Sequence, residues 1–283
     1  METKLTYKAQ EVLIGSDQPF VIIGERINPT RRKKLAAGMA VGDFSIVQED
    51  ARRQVEAGAQ VLDVNAGIPG EDEAALLRSA VEAVMEVVDV PLCIDTANPG
   101  ALGTALSVYP GKALINSTTA ESSMMERVLP LAKEHGAAVI GVITDENGIP
   151  ATPEARLQVA SKLMDEASKH GIPAEDIIID PLALTVGADH NAARVTLDSL
   201  QLIRDELGVN MSLGASNVSF GLPDRKIINI TYLALAIARG LTTAITDPTV
   251  PDIQTTLLAC DLLIGHDEYS MRWIKAYRKR NSS

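Results

Sequence analysis

Residues 60–95 read QVLDVNAGIPGEDEAALLRSAVEAVMEVVDVPLCID and contain one complete strand–helix–strand unit. The short apolar runs at 60–64 and 91–94 are typical of buried strands, and residues 71–88 between them repeat apolar side chains at helical spacing. Strands that alternate with helices predict parallel pairing, because the chain crosses over through each helix before the next strand begins. This stretch therefore predicts an α/β fold built on a parallel sheet.

The same unit recurs along the chain of 283 residues. Further strand-like runs lie at 20–24, 112–115, 137–143, 176–179, 211–214 and 242–246. Further helical patterns lie at 45–57, 122–133, 153–169, 191–207 and 224–239. Eight units in about 230 residues favour a closed (β/α)8 TIM barrel, with an open doubly wound sheet as the alternative. No linker divides the chain, so we expect one domain over 1–283, with an N-terminal extension at 1–18 and a C-terminal helix or tail at 266–283.

Composition excludes several classes of partner. The chain carries 26 basic and 37 acidic side chains, a formal net charge of −11, and 3% aromatic residues. It lacks the Lys/Arg excess and the rings that nucleic-acid and anionic-membrane binding require. No signal-peptide core opens the sequence, and no apolar run approaches the roughly 20 residues that cross a bilayer. The two cysteines, Cys93 and Cys260, fit a reducing compartment, so we expect a cytoplasmic protein without nucleic-acid or membrane partners.

Polar side chains end seven of the eight predicted strands. In a closed parallel barrel these ends meet at one rim, where the catalytic groups of such folds lie. Asp63 and Asn65 share one face of their strand, and Asp95 and Asp180 directly follow apolar runs. The other polar residues at strand ends are Glu25, Asn28, Asn116, Ser117, Ser216, Asn217 and Asp247. Helix capping explains roughly half of such residues, so we expect the remainder to form a ligand site.

A rim of carboxylates and amides predicts a ligand rich in N–H donors, because ionised carboxylates only accept hydrogen bonds. Metal binding by the same carboxylates is the competing explanation. The histidines do not support it: His135 and His170 lie at predicted helix ends, His190 begins a helix and His266 lies in the tail. The sequence also lacks the His-Glu-x-x-His, Gly-x-Gly-x-x-Gly and Gly-x-x-x-x-Gly-Lys motifs. We therefore expect neither a metal nor a nucleotide at the rim.

Six short motifs at the predicted strand ends are specific for a family when they are taken together. They are IIGERIN (22–28), LDVNAG (62–67), CIDTAN (93–98), LINSTT (114–119), IIDPLAL (178–184) and LGASNVSFGLPDR (213–225). In this order they resemble the pterin-binding methyltransferases, which exchange a methyl group between methyltetrahydrofolate and a corrinoid protein. The resemblance covers nearly the whole chain. It implies a (β/α)8 barrel of the dihydropteroate synthase-like architecture and a homodimer.

The resemblance also implies roles for individual residues. Asp95, Asn116 and Asp180 would hydrogen-bond the 2-amino-pyrimidinone edge of the pterin. Asn217 would be the catalytic residue, reaching N5, the nitrogen that carries the methyl group, and stabilising its protonated form. The remaining lining of the site would comprise Glu25, Asn28, Asp63, Asn65, Gly214 and Ser216.

Two basic features near the predicted rim have open roles. Arg225 could meet the anionic glutamate tail of folate or the corrinoid partner, or it could be a solvated residue at a helix start. The adjacent Arg31, Arg32, Lys33 and Lys34 form a dense basic cluster in the loop after the first strand. This cluster is either an exposed loop or a region that attracts folate polyglutamate or acidic groups of a partner.

The sequence contains no Asp-x-His-x-x-Gly motif of cobalamin-binding modules. We therefore expect the corrinoid to be carried by a separate protein that docks transiently over the barrel mouth. A dihydropteroate synthase-like enzyme, a non-catalytic folate-binding subunit and a metal-dependent aldolase or hydrolase remain as alternatives. The first of these resembles a pattern with a lysine at strand seven and an arginine-x-histidine at strand eight, whereas this chain has Ser216-Asn217 and Asp247-Pro248.

Overall fold

Ten strands and ten α-helices organise residues 1–281, the part of the chain that this computed structural model describes. The strands are β1 (Glu2–Tyr7), β2 (Gln10–Gly15), β3 (Val21–Ile27), β4 (Val61–Asn65), β5 (Leu92–Asp95), β6 (Leu114–Thr119), β7 (Ala138–Val142), β8 (Ile177–Asp180), β9 (Asn210–Met211) and β10 (Thr243–Thr246). The helices are α1 (Lys33–Ala40), α2 (Ser45–Glu56), α3 (Glu73–Met85), α4 (Pro99–Leu106), α5 (Ser122–His135), α6 (Pro153–Lys169), α7 (Ala192–Leu207), α8 (Arg225–Ala238), α9 (Pro251–Leu263) and α10 (Met271–Asn281). None of these helices is long and apolar enough to span a membrane.

Strands β3 to β10 form one parallel sheet that closes on itself. Each strand pairs with the next along the chain, and β10 returns to pair with β3 through Thr243 and Val21. Between β9 and β10, the Thr242 amide donates to the Met211 carbonyl at 3.2 Å and the Ile245 amide to the Leu213 carbonyl at 2.9 Å. The predicted (β/α)8 barrel is therefore confirmed.

An antiparallel hairpin, β1–β2, precedes the barrel and was not predicted as strands. Its side chains Leu5 and Ile14 are fully buried and pack among inward-facing residues of the barrel strands. The Thr6 amide donates to the carbonyl of Lys112, just before β6. The hairpin therefore covers the end of the barrel at which the strands begin.

Several helix ends follow from capping side chains. Asp72 accepts from the amide of Ala75 at the start of α3, and Thr152, followed by Pro153, accepts from the amide of Ala155 at the start of α6. Gly136 ends α5 with a left-handed backbone, which a glycine adopts without a steric penalty. The bounds of α6 match the helical pattern predicted at 153–169, and α5 extends two residues beyond the pattern predicted at 122–133.

Side chains alternate across the barrel strands, and this alternation positions the polar residues. In β4, Val61 faces the barrel interior whereas Leu62 packs in the cluster between sheet and helices. Asp63, two residues after Val61, therefore faces inward as well. The same parity holds in β8, where Ile178 is an interior residue and Asp180 follows it by two. The inward rows of β4 and β8 are thus apolar where the strand begins and polar where it ends.

Candidate functional site

Two amide–carboxylate pairs occupy the barrel interior at the ends of β4, β5 and β6. Asn116 donates from Nδ2 to Oδ1 of Asp63 at 3.0 Å, and Asn65 donates from Nδ2 to Oδ2 of Asp95 at 3.0 Å. Oδ1 of Asn65 accepts from the amide of Gly67 at 2.9 Å, which fixes the orientation of that side-chain amide. The four predicted residues are therefore brought together into one network.

The two carboxylates of this network differ in depth. Asp63 is 3% exposed and lies at the floor, whereas Asp95 is partly accessible from the mouth. Burial raises the pKa of Asp63 well above its ordinary value, and the charge of Asp95 raises it further. Burial raises the pKa of Asp95 to about 6. Both pKa values are raised chiefly by burial, and Asp95 is the member of the pair that is accessible from the mouth.

Asp180 lies at the end of β8 and is held by backbone donors. Its Oδ1 accepts from the amide of Leu182 at 2.8 Å, and the nearby amide of Gly214 favours the ionised form of this carboxylate. Leu182 has a left-handed backbone with φ of 63°, which turns the chain back toward the carboxylate. Burial raises the pKa of Asp180 to about 6 despite these donors. The predicted acceptor thus sits in a rigid setting.

The buried guanidinium of Arg156 fixes the loop after β8, and sequence reasoning missed it. Arg156 is 2% exposed and donates from Nη1 to the carbonyls of Pro181 at 2.7 Å and Leu182 at 3.2 Å. It also donates from Nη1 to Oγ1 of Thr196 on α7 at 3.1 Å. The available signal was an arginine on the face of α6 that otherwise buries apolar side chains. Arg156 is a positioning residue for Asp180.

Glu25, at the end of β3, is the second acidic centre of the mouth. Ser216 donates from Oγ to Oε1 of Glu25 at 3.4 Å, and Asp247 at the end of β10 lies nearby, paired with Nε of Arg26 at 3.6 Å. Burial raises the pKa of Glu25 to about 7, with a further contribution from the charge of Asp247. A cavity of about 310 Å³ is lined by Glu25, Ser216, Asp247 and Arg225 among others. Arg225, predicted near the rim, thus lines this cavity, and Arg26 adds a second cation beside Glu25.

The side chain of Gln54 accounts for the presence of a glycine at position 24, directly before Glu25. Its Oε1 accepts from the amide of Arg26 at 2.8 Å, and Gln54 itself is fully buried. A Cβ at Gly24 would lie 2.5 Å from that oxygen, so no larger residue fits while Gln54 holds the strand end. Gly24 and Gln54 therefore set the position of Glu25 together.

Asn217 lies on a short 3₁₀ turn, Ala215–Ser219, and its side chain is exposed at the mouth. The predicted strand at 211–214 is shorter than expected, because β9 ends at Met211 and Gly214 forms only an isolated bridge to Ile245. A Cβ at Gly214 would lie 3.0 Å from Nδ2 of Asn217. Gly214 thus leaves room for the Asn217 side chain, in line with its predicted shaping role.

Arg225 begins α8 and is exposed, and its guanidinium is hydrogen-bonded to the preceding segment. Its Nη2 donates to the carbonyl of Ser216 at 2.7 Å, and its Nε donates to Oγ of Ser219 at 3.0 Å. Its guanidinium also lies 5.9 Å from the ring centroid of Phe220, whose other neighbour is Arg31 at 4.7 Å. Arg225 thus anchors the turn that carries Asn217.

The remaining predicted residues lie at the edge of the site. Oδ1 of Asn28 accepts from the amide of Thr30 at 2.9 Å, which makes Asn28 a turn residue of the loop after β3. Lys33 and Lys34, expected in that loop, instead form the first turn of α1. Across residues 1–281, no group of three or more His, Cys, Asp or Glu side chains is arranged to hold a metal ion.

Comparisons with known sequences give consistent matches. The sequence profile of the family described as pterin binding enzyme matches residues 24–247. The chain is 31% identical over 266 residues to the methylcorrinoid:tetrahydrofolate methyltransferase of Eubacterium limosum, covering 92% of this chain and 97% of that protein. It is 27% identical over 244 residues to the methionine synthase of Mycobacterium tuberculosis, covering 82% of this chain and 20% of that longer protein.

Comparison with solved structures gives the same barrel. The dihydropteroate synthase of Yersinia pestis superposes with a TM-score of 0.67 at 16% sequence identity, covering 94% of this chain and 100% of that one. At this identity the similarity establishes the shared fold alone.

Proposed function

Because this chain belongs to the family of pterin binding enzymes, we propose that it exchanges a methyl group between N5 of tetrahydrofolate and the cobalt of a corrinoid carried by a separate protein. The observation that carries the proposal is the inward set of acceptors at the mouth, Asp95, Asn116 and Asp180. The E. limosum relative, which matches over nearly its whole length, is named for the same exchange.

The acceptor set suits the edge of a pterin. The 2-amino group and ring N–H of a pterin are donors, and the Asp95 and Asp180 carboxylates can accept from them. Asn116 uses one Nδ2 hydrogen on Asp63, which leaves its second hydrogen and its Oδ1 for the neighbouring ring carbonyl and nitrogen. The floor carboxylate Asp63 thus orients Asn116 and is itself covered. This assigns Asp63 a positioning role and not a binding role.

Asn217 is the residue that meets N5. When the methyl group leaves the corrinoid, the N5 lone pair forms the new N–C bond, the electron pair of the carbon–cobalt bond stays on cobalt, and N5 releases its proton. In the opposite direction N5 must gain a proton, because an unprotonated amine leaves badly. The Asn217 amide can accept from a protonated N5 or donate to a neutral one, so it orients and stabilises either state.

Glu25 supplies a group that can exchange the N5 proton. Ser216 directly precedes Asn217 and donates to Glu25, so the carboxyl group borders the turn that faces N5. Burial raises the pKa of Glu25 to about 7, where a carboxyl group both gives and takes a proton at physiological pH. We place water between Glu25 and N5 in this proton path.

Methyl transfer is tested by mixing the full chain with methyltetrahydrofolate and reduced cobalamin, either free or bound to a corrinoid protein, and recording the visible spectrum of cobalt. Transfer converts the spectrum of the reduced corrinoid to that of methylcobalamin, and the reverse reaction is followed from methylcobalamin and tetrahydrofolate. Folate binding without spectral change in either direction would indicate a non-catalytic folate-binding subunit instead.

We also propose a homodimer in the cytoplasm, formed by one domain over residues 1–283. Large apolar side chains are exposed on neighbouring helices, including Ile227 and Leu235 on α8, Leu263 on α9 and Ile274 on α10. A self-association surface explains this exposure. Sedimentation equilibrium measures the mass, and Leu235→Arg should shift a dimer toward monomer.

A further inference from the structure

The basic cluster after β3 lines an open cavity of about 500 Å³, here called the basic pocket. Its lining includes Arg31, Arg32, Lys33, Lys34 and Arg53, with Glu49 and Asp50 as its acidic residues. We propose that the basic pocket binds the carboxylates of the polyglutamyl tail of folate. The inference rests on the proposed function, because it names a subsite for the same substrate.

The charges of the basic pocket are only partly compensated. Arg32 is paired with Asp50 at 2.5 Å, but Lys33 and Lys34 are exposed and form no ion pair within residues 1–281. Both lysines occupy the first turn of α1, which contains no acidic residue. Cations at a helix N-terminus oppose the helix dipole, and a bound anion would relieve that cost. The pocket thus carries a local excess of positive charge on a chain whose net charge is −11.

The basic pocket borders the catalytic turn. The guanidinium of Arg31 lies 4.7 Å from the ring centroid of Phe220, which directly follows the turn that carries Asn217. Arg31 holds a left-handed backbone with φ of 61°, within a loop that the Asn28 side chain also shapes. Arg32 donates to the carbonyl of Arg26 at the end of β3. Two residues of the pocket thus connect it to the mouth: Arg32 contacts the end of β3, and Arg31 contacts Phe220 beside the turn that carries Asn217.

The covalent structure of folate directs its tail toward the same place. N5 is bonded to C6, and the aminobenzoyl-glutamate tail leaves the pterin from C6. If Asn217 meets N5, the tail therefore emerges beside the Ala215–Ser219 turn and Phe220. Each γ-linked glutamate then adds one carboxylate next to Lys33 and Lys34, where cations and carboxylates attract each other.

The test measures dissociation constants of tetrahydrofolate monoglutamate and triglutamate for the full chain by titration calorimetry. Wild-type protein should bind the triglutamate about tenfold more tightly, and this ratio should fall as ionic strength rises. The double variant Lys33→Ala/Lys34→Ala should lose most of the ratio while keeping its affinity for the monoglutamate.

A matched control removes the same charge from the other end of the barrel. Lys4 and Lys8 are exposed on the hairpin, so Lys4→Ala/Lys8→Ala changes the net charge equally without touching the basic pocket. The control variant should keep the full ratio. Loss of the ratio in both double variants would show a general charge effect and overturn the proposal.

Other outcomes separate this inference from the proposed function. An unchanged triglutamate-to-monoglutamate ratio in Lys33→Ala/Lys34→Ala overturns the inference, and a simultaneous rise in KM for a corrinoid protein would assign the pocket to partner docking. Wild-type protein that shows the ratio but transfers no methyl group would refute the proposed transferase while supporting the tail subsite. If neither folate binds, both proposals fall.

Discussion

The two ends of the barrel differ in how their polar groups are satisfied, although the same eight strands form both ends. At the end where the strands begin, Leu5 and Ile14 of the hairpin fill the interior, and both are fully buried. The side chain of Asn210 is buried, and its Nδ2 donates to Oγ1 of Thr3 at 2.9 Å and to the carbonyl of Ile14 at 2.8 Å. Here the chain satisfies its own polar groups.

At the mouth the chain leaves polar groups for another molecule. Four carboxyl groups there, Glu25, Asp63, Asp95 and Asp180, all have a raised pKa, and burial is the main cause in each case. Raised values mean that the folded chain does not fully stabilise their charges. Residues at the closed end therefore contribute mainly to stability, and residues at the mouth are available for ligand recognition. We expect mutations at the closed end to lower the free energy of unfolding and mutations at the mouth to lower activity.

The largest expected effect is on stability at the closed end. Leu5→Ala/Ile14→Ala should lower the free energy of unfolding by about 5 kcal/mol, because each truncation leaves a cavity in a fully packed interior. Urea unfolding measures the change, with the half-buried Val12→Ala as a milder control on the same hairpin. Methyl transfer by the folded fraction should be unchanged, and a loss of folate affinity in that fraction would contradict the separation of the two ends.

The next effect is on catalysis at the open end. Asn217→Ala should lower turnover by about 10² to 10³-fold, since it removes a group that stabilises charge at the reacting nitrogen. Its side chain is exposed, so the free energy of unfolding should change by less than about 0.5 kcal/mol. Turnover at saturating folate equal to that of wild type would remove Asn217 from the mechanism.

A smaller effect concerns the pH dependence of stability. Burial raises the pKa of Asp180 in the folded state to about 6, from 3.8, so the folded state binds more protons than the unfolded state between these values. The contribution of Asp180 to stability is therefore present below pH 3.8 and is lost as pH rises through about 6.

Asp180→Asn removes this dependence. Relative to the variant, ligand-free wild type should lose on the order of 2 kcal/mol as pH rises from about 4 to about 6. Chemical unfolding of both proteins across this range measures the difference. A constant difference would mean that the carboxylate is already fully stabilised by the Leu182 and Gly214 amides.

The smallest effect is on the pH profile of methyl transfer. Burial raises the pKa of Glu25 to about 7, so transfer from methylfolate should slow, and transfer to folate should accelerate, as pH rises through about 7. Glu25→Gln should flatten both profiles. We expect a change below the 10² to 10⁴-fold typical of a direct general acid, because the proposed mechanism places Asn217 and not Glu25 against N5. Identical profiles for the variant and wild type would exclude Glu25 from the proton path.

The sequence predicts the barrel well because its strands are buried on both faces and read as short apolar runs. It does not predict the β1–β2 hairpin, since the Lys8-Ala9 connection lacks the Asn-Gly or Asp-Gly that marks a two-residue turn, and Lys8 itself takes a φ of 50°. Without that turn signature, the hairpin is recognised only from the burial of its side chains in the folded structure.

The residues of the candidate site also differ in how far the sequence predicts them. Asp95, Asn116 and Asp180 are predictable because a strand period of two and a polar strand end are local properties. Arg156 is not, since the carbonyls that it contacts lie 25 and 26 residues away in the chain. Residues proposed to bind directly are thus found from the strand ends, whereas residues that hold them in place are found from the folded structure.

The closure of the barrel has a consequence for synthesis of the protein. Val21 and Thr243 are neighbours across the β3–β10 pairing, although 222 residues separate them along the chain. During translation the edge of β3 therefore stays without its second neighbour until β10, 222 residues later, has left the ribosome. An unpaired strand edge can form hydrogen bonds with a strand of another chain. A nascent or prematurely terminated product therefore exposes an aggregation-prone edge that is paired in the complete barrel. Ribosome stalling before β10 is translated should therefore produce aggregates and not a smaller working barrel.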